Sequence, residues 1–455
     1  MKRTTRRRFI VSGAAISTVA IAGCGQDETG DAEPEAEPEA EPEPEPEPET
    51  EPEPEPEPEP FEAGYEIWAA DQGTDTIYIY ELADESGEEY NLIDEIDTGA
   101  EDGFVPHMID YSSDYEYAAV ACTSGARTLV YRTEDRELVA NLETGAGSHF
   151  AGFSPGDEYI HVDVIGEGEI VRIDVDLENE EFEIGDSIVV DEEIEGLTEQ
   201  EGAPICHSYD KSGRSIHTLG PSYNNAGLLI IDHENFEVAR AFSGEEVPTN
   251  CGTMPHPTED KFYLTAGLPT PTDDDGEPVD GEEGVGDFYV MDTESDELLV
   301  DGESTNGIDA HGFWFTPDGE ELWVLNRETN DGIVIDPETD EVIDEIDAYG
   351  PEVSENPNER DSPDILWGSP DGRFMFVTLR GPSPQSGDPH AATGVNPGFA
   401  VLDTDTREIV TTVQPDEGNE NSDFHAIGVR LTEEFDGFTL PPFTTPDSDS
   451  DSGSY

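Results

Sequence analysis

Four histidines and one aspartate occupy the same position in a repeated pattern: His107, His149, His311, Asp364 and His425. In the clearest copies this residue opens a short apolar stretch that ends in a Ser/Thr-Pro turn. Neutral imidazoles gathered around one carboxylate suit a transition metal such as Zn or Cu. The same groups could act as acid and base on a small molecule. They could also be structural, each ring hydrogen-bonded within its own repeat. Gap-free alignment of two further repeats puts Ile205 and Gly252 at this position, with His207 and His256 two and four residues further on. On a regular strand both would face the same way as the first residue. The candidate metal set is therefore His107, His149, His207, His311, Asp364 and His425. No nucleophile elbow, phosphate loop, HExxH or CxxCH accompanies them, so nothing marks an enzyme.

The repeats supply the elements that must hold these side chains. His149-Phe-Ala-Gly-Phe-Ser-Pro-Gly-Asp-Glu-Tyr-Ile-His-Val, His311-Gly-Phe-Trp-Phe-Thr-Pro-Asp-Gly-Glu-Glu-Leu-Trp-Val and Asp364-Ile-Leu-Trp-Gly-Ser-Pro-Asp-Gly-Arg-Phe-Met-Phe-Val each read as strand, turn and second strand. A third strand ends on a turn aspartate at Asp174, Asp232, Asp292, Asp336 and Asp403, and a fourth follows. Four antiparallel strands per unit, repeated without helical periodicity, predict an all-β propeller. Full units start near 107, 149, 205, 252, 311 and 364. The chain opens at Tyr65 on a unit lacking its first strand and ends at His425 on a first strand lacking its unit. Joining the halves gives a seven-bladed β-propeller whose C-terminal strand closes the ring on the N-terminal hairpin.

These repeats resemble the YVTN-type seven-bladed propellers, related in fold to the N-terminal domain of nitrous oxide reductase and to propeller-type periplasmic zinc chaperones. The resemblance implies a fold more than a function, because propellers serve as scaffolds, lactonases, dehydrogenases and metal carriers. It also implies metal binding by histidines. The cupredoxin domain of the reductase is missing, which excludes that activity. In WD-repeat propellers a histidine near this position is structural, but the Trp-Asp partner pattern is not present here.

Residues 1–24 read as an export signal. Arg6 and Arg7 in Thr5-Arg-Arg-Arg-Phe-Ile resemble a twin-arginine motif, and Ile21-Ala-Gly-Cys24 resembles a lipobox with Cys24 as the lipidated residue. The Glu-Pro-rich segment 25–62 predicts an extended, disordered linker, since proline donates no amide hydrogen and glutamates repel. The propeller should span 63–434 and an acidic, disordered tail 435–455. The expected location is the outer face of the cytoplasmic membrane, with the lipid as the only membrane contact.

The chain carries 111 acidic and 19 basic residues, for a net charge of −92. Fourteen of those charges lie in Glu33–Pro60, and −78 remains without them. Such acidity excludes binding to nucleic acid or an anionic surface. It suits a salt-loving, archaeon-like source whose brine supplies the counter-ions. Cys122 reads as a small core residue, whereas Cys206 and Cys251 start neighbouring blades and could pair. Two long loops lie on the histidine face: 267–287, whose aspartate run reads as solvated, and 381–398, which could fold over the mouth and deliver His390. The expectation is a monomeric, lipid-anchored binding protein coordinating Zn or Cu. A scaffold for a protein or polysaccharide, or a metal-dependent oxidoreductase, are the alternatives.

Overall fold

The computed structural model describes Phe61 and residues 63–433, apart from 100–102, 194–201, 221–226, 233–234, 250–251, 274–277 and 415–419. The export signal, Cys24, Cys251 and the tail from 435 lie outside these residues, as does all of the linker but Phe61. Among the described residues, twenty-eight strands form seven antiparallel sheets of four. The first blade takes β1 (Tyr65–Asp71), β2 (Thr76–Leu82) and β3 (Tyr90–Asp97). The second is β4 (Pro106–Tyr111), β5 (Tyr117–Cys122), β6 (Arg127–Arg132) and β7 (Leu138–Leu142). The third is β8 (Ser148–Phe153), β9 (Tyr159–Val164), β10 (Glu169–Asp176) and β11 (Glu181–Val189), followed by the short helix α1 (Val190–Glu193). The fourth is β12 (Ala203–Tyr209), β13 (Ser215–Gly220), β14 (Gly227–Asp232) and β15 (Glu237–Ser243). The fifth is β16 (Thr253–Pro255), β17 (Lys261–Leu268), β18 (Val285–Asp292) and β19 (Glu297–Ser304). The sixth is β20 (Ala310–Phe315), β21 (Leu322–Asn326), β22 (Asp331–Asp336) and β23 (Glu341–Ile346). The seventh is β24 (Pro363–Gly368), β25 (Phe374–Leu379), β26 (Gly398–Asp403) and β27 (Ile409–Val413), with α2 (Pro389–Ala392) between its second and third strands. The last strand, β28 (Phe424–Leu431), completes the first blade.

The ring closes as the repeats require. β28 pairs antiparallel with β1 from Tyr65↔Leu431 to Asp71↔Phe424. Asp71 Oδ1 accepts the Asp423 amide at 2.8 Å, and the Gln72 amide donates to the Asp423 carbonyl at 2.8 Å. The innermost strands β28, β4, β8, β12, β16, β20 and β24 each pack on the next around the axis.

Local chemistry makes the turns. In Thr316-Pro-Asp-Gly319 the Thr316 hydroxyl donates to Asp318 and accepts the Glu321 amide at 3.0 Å, while Gly319 takes φ 72°. Ser369 does the same with Asp371 and the Phe374 amide, and Gly372 takes φ 78°. Both glycines stand in the left-handed region, where a side chain would be strained. The strand-ending aspartates hold the next turn: Asp292 Oδ1 accepts the Ser295 amide at 2.7 Å, and Asp403 Oδ1 the Thr406 amide at 2.8 Å. Inner strands are buried on both faces, as in Tyr117-Ala-Ala-Val-Ala-Cys122, whereas outer strands such as Glu341–Ile346 expose most residues. Cys122 is fully buried in that second strand.

Candidate metal centre at the propeller funnel

The first-position residues reach the axis because the inner strands bulge there. The ladder between inner and second strands shifts register between Pro106 and Met108, Ser148 and Phe150, Pro204 and His207, Ala310 and Phe313, and Pro363 and Leu366. The β1–β28 ladder shifts opposite His425. His107, His149, His311, Asp364 and His425 therefore all sit in a bulge. An extra residue leaves the ladder there and its side chain is re-aimed, here toward the funnel.

The carboxylate of Asp364 is the hub. His311 Nε2 lies 2.9 Å from its Oδ1 and His425 Nε2 lies 3.6 Å from its Oδ2. One donor atom from each of the three residues falls within 4.8 Å of the others. His425 Nδ1–H donates to the His107 carbonyl at 2.8 Å. Its Nε2 consequently carries the lone pair, and that lone pair faces a carboxylate oxygen. Two acceptors turned toward each other in a buried site are the natural surroundings of a cation.

Two guanidiniums also reach this carboxylate. Arg380 Nη1 donates to Asp364 Oδ2 at 2.5 Å, and Arg380 grips Asp423 with two bonds of 2.8 Å. Arg327 Nη1 lies 3.5 Å from Asp364 and its Nε donates to Asp309 at 2.7 Å. Two positive charges thus meet three buried carboxylates, leaving a net negative charge beside the imidazoles. Burial opposes ionisation of Asp364, yet His425, His311, Arg380 and Arg327 together hold it well below the usual carboxylate range. Burial pushes the His425 imidazole well below its ordinary value; Asp364 opposes the shift, and Arg380 and the neighbouring histidines add to it. Burial, with His149, His425 and Arg380, does the same to His107. In both rings the shift favours the neutral form, the one a metal requires.

His107 and His149 adjoin this triad in a hydrogen-bonded chain. The Gln72 Oε1 accepts from Ser386 Oγ at 2.8 Å, so its amide NH₂ faces His107 Nδ1 at 2.6 Å. His107 then carries its proton on Nε2 and donates it to His149 Nε2 at 2.8 Å. His149 Nδ1 lies 3.7 Å from Cys206 Sγ. The His107 ring stacks on that of His425 with centroids 3.7 Å apart.

A cavity of roughly 490 Å³ opens above these residues, lined by His107, His149, His311 and His425 and capped by Ser386, Gly387 and Asp388. The loop 381–398 thus lies over the mouth, pinned by Arg380 Nη2 to the Ser386 carbonyl at 2.9 Å and by the Gln385 amide to Asp423 at 2.6 Å. Its His390 points elsewhere and meets Glu328 Oε1 at 3.2 Å. Gly267, Leu268 and Pro269, from the start of the other long loop, also line the cavity.

His207 does not join the funnel. The bulge at Ile205–Cys206 breaks the period of two, so Ile205 lines the cavity and His207 turns to Asp163 in the neighbouring blade at 2.6 Å. His256 does not join either, because its Nδ1 accepts the amides of Thr258 and Glu259 at 3.1 and 2.9 Å and so caps a turn. Sequence reasoning overlooked Gln72, Arg327 and Arg380. The two arginines could have been noticed from basic scarcity alone, since Arg327 and Arg380 each directly follow a second strand in a chain with few cations.

The chain matches no protein-family model, and no curated protein is similar to it at a significant level. Among solved structures, hydrazine synthase of Kuenenia stuttgartiensis is similar, with a TM-score of 0.51 and 13% identity over 74% of this chain and 94% of that one. Dihydro-heme d1 dehydrogenase NirN in complex with DHE follows with a TM-score of 0.49 and 12% identity over 81% of this chain and 76% of that one. At such identity the first likeness shows a shared propeller fold and nothing of the chemistry.

Proposed function

We propose that this chain is an extracytoplasmic propeller lipoprotein of the YVTN type, from a salt-loving source, that binds a transition metal, Zn or Cu, in its funnel. His311, Asp364 and His425 would supply the ligands. The arrangement of His425 carries this reading: one ring nitrogen is committed to a backbone carbonyl, and the other presents its lone pair to a carboxylate. That is how a metal-bound imidazole is usually oriented. The open cavity above the triad gives an ion or its carrier a route in and out, which suits uptake and release. Cys24 would hold the protein as a monomer at the outer face of the membrane, with the Glu-Pro stalk as spacer.

His107 and His149 favour a second, structural role. The chain from Gln72 through both rings to Cys206 is satisfied by its own hydrogen bonds. They would shape the funnel and stand ready beside the ion.

The test is elemental analysis of tag-free protein purified in high salt, followed by Zn and Cu titration of the parent, His311→Ala, His425→Ala and the double variant. A funnel site predicts that either single change abolishes most of the affinity, so the double adds little. Equal, weak affinity in all four proteins would remove the metal and leave a scaffold propeller. Cell fractionation of Cys24→Ala and of Arg6→Lys/Arg7→Lys tests the anchor and the export route separately.

A further inference from the structure

A second cluster of metal-binding side chains lies away from the funnel, between the third and fourth blades. Period-two spacing builds it. His161 and Asp163 share a face of β9, Ser215 and His217 share a face of β13, and His207 pairs directly with His217 across the β12–β13 hairpin. His207 Nδ1 lies 2.6 Å from Asp163 Oδ2 and His217 Nδ1 lies 2.6 Å from Oδ1. The two imidazole rings stack with centroids 4.5 Å apart. Every one of the five side chains is 0–1% exposed.

Two features of this cluster point to a ligand. Asp163 meets only the two imidazoles among the described residues, whereas Asp364 at the funnel has two arginines. A carboxylate sealed from water without a cation is unfavourable unless something positive joins it. In addition, one ligand atom from each of Asp163, His207 and His217 lies within 4.8 Å of the others, the same closeness that marks the funnel triad.

We propose that this pocket is a structural site for a divalent transition ion, held by Nδ1 of His207, Nδ1 of His217 and both oxygens of Asp163. Two imidazoles and a bidentate carboxylate make a four-donor set that suits Zn²⁺. The ion replaces the two Nδ1 protons, which move to Nε2 of the same rings. His217 Nε2–H then donates to Ser215 Oγ, 2.9 Å away, and Ser215 Oγ–H donates to His161 Nδ1 at 3.0 Å. This is an ordered outer shell that fixes the ring behind the metal. On the other side, Gly152 makes room for the His207 ring, since a Cβ there would come 2.8 Å from Nε2. The site shares no ligand with the funnel. Because its side chains are almost wholly buried, the ion enters as the chain folds and leaves only when the blades part.

The experiment uses the full chain with His311→Ala and His425→Ala, which disables the funnel and leaves this cluster whole. The protein is unfolded, refolded in high salt with Zn²⁺, washed with chelator in the native state, and its metal counted. One ion per chain should survive the wash, and Co²⁺ substituted in the same way should show the visible absorption of a four-coordinate site. Adding His217→Gln should reduce the retained ion to none. Natively folded protein that retains no ion overturns the proposal, as does retention unchanged by both His217→Gln and Asp163→Asn. Should the funnel variants not fold, the parent protein washed natively gives the same count, since its open funnel is cleared by chelator and the sealed site is not.

Discussion

His425 donates its Nδ1–H to the carbonyl of His107, 2.8 Å away on the inner strand of the next blade. The backbone of one blade thus sets the tautomer of a ring in its neighbour. Replacing His107 by Ala removes a side chain but keeps that carbonyl. Metal affinity in the funnel should then fall by about 10-fold or less, whereas His425→Ala should cost more than about 100-fold. Competition titration with a chromophoric chelator separates the two, and equal losses would mean that the backbone contact does not orient the ligand.

Arg380 is fully buried and joins Asp364 to Asp423. Arg380→Met leaves Asp423 sealed without its cation and Asp364 with Arg327 alone, and should destabilise the propeller by about 3–5 kcal/mol. Adding Asp423→Asn should recover part of that loss, because the stranded charge disappears. Denaturant unfolding in constant high salt measures both, and additive losses would show that the charges are independent.

Asp110 lies on β4, where its Oδ2 accepts the Phe153 amide at 2.8 Å. Burial pushes its carboxyl up to about 7. A group whose pKa rises on folding favours the fold while protonated, so this contribution fades as pH climbs from about 4 to 7 and is absent above. Asp110→Asn cannot ionise. Its stability relative to the parent should therefore improve across that window and level off beyond it. A difference that stays constant from pH 4 to 8 would rule out a buried acid here.

Ending the chain before His425 deletes most of β28 and uncovers the edge of β1. That protein should aggregate or melt far below the intact one, while removal of residues after Pro446 should leave melting unchanged. Light scattering during thermal melts reads both, and normal melting of the shorter chain would contradict closure through this strand.

The fold was legible because Ser/Thr-Pro turns mark the three clearest units and strand-ending aspartates mark five, and because the half-units at Tyr65 and His425 complement each other. Period-two alternation was the rule for which side a strand residue faces. It failed at His207 for a physical reason. The bulge at Ile205–Cys206 inserts one residue, and everything beyond it changes side. Nothing in the local sequence of β12 announces a bulge, since it arises from pairing with β13. The cluster around Asp163 was hidden for the related reason that its members come from two blades. His161, Asp163 and His217 stand on second strands, which entered the reading only as parts of the repeat.

The seam between β1 and β28 also fixes the timing of assembly. Arg430 and Glu66 form an ion pair of 3.1 Å across it, although 364 residues separate them in the chain. A ribosome adding about 5–20 residues per second needs roughly 20–70 s to make that stretch. For all that time β1 exists without its inner neighbour, as the unpaired rim of an unfinished arc. The entropy of closing so long a loop grows only with the logarithm of its length, so the distance weighs little on the finished protein. It weighs instead on the nascent chain, in which the inner edge of β1, the first strand of the ring, is the last to be paired.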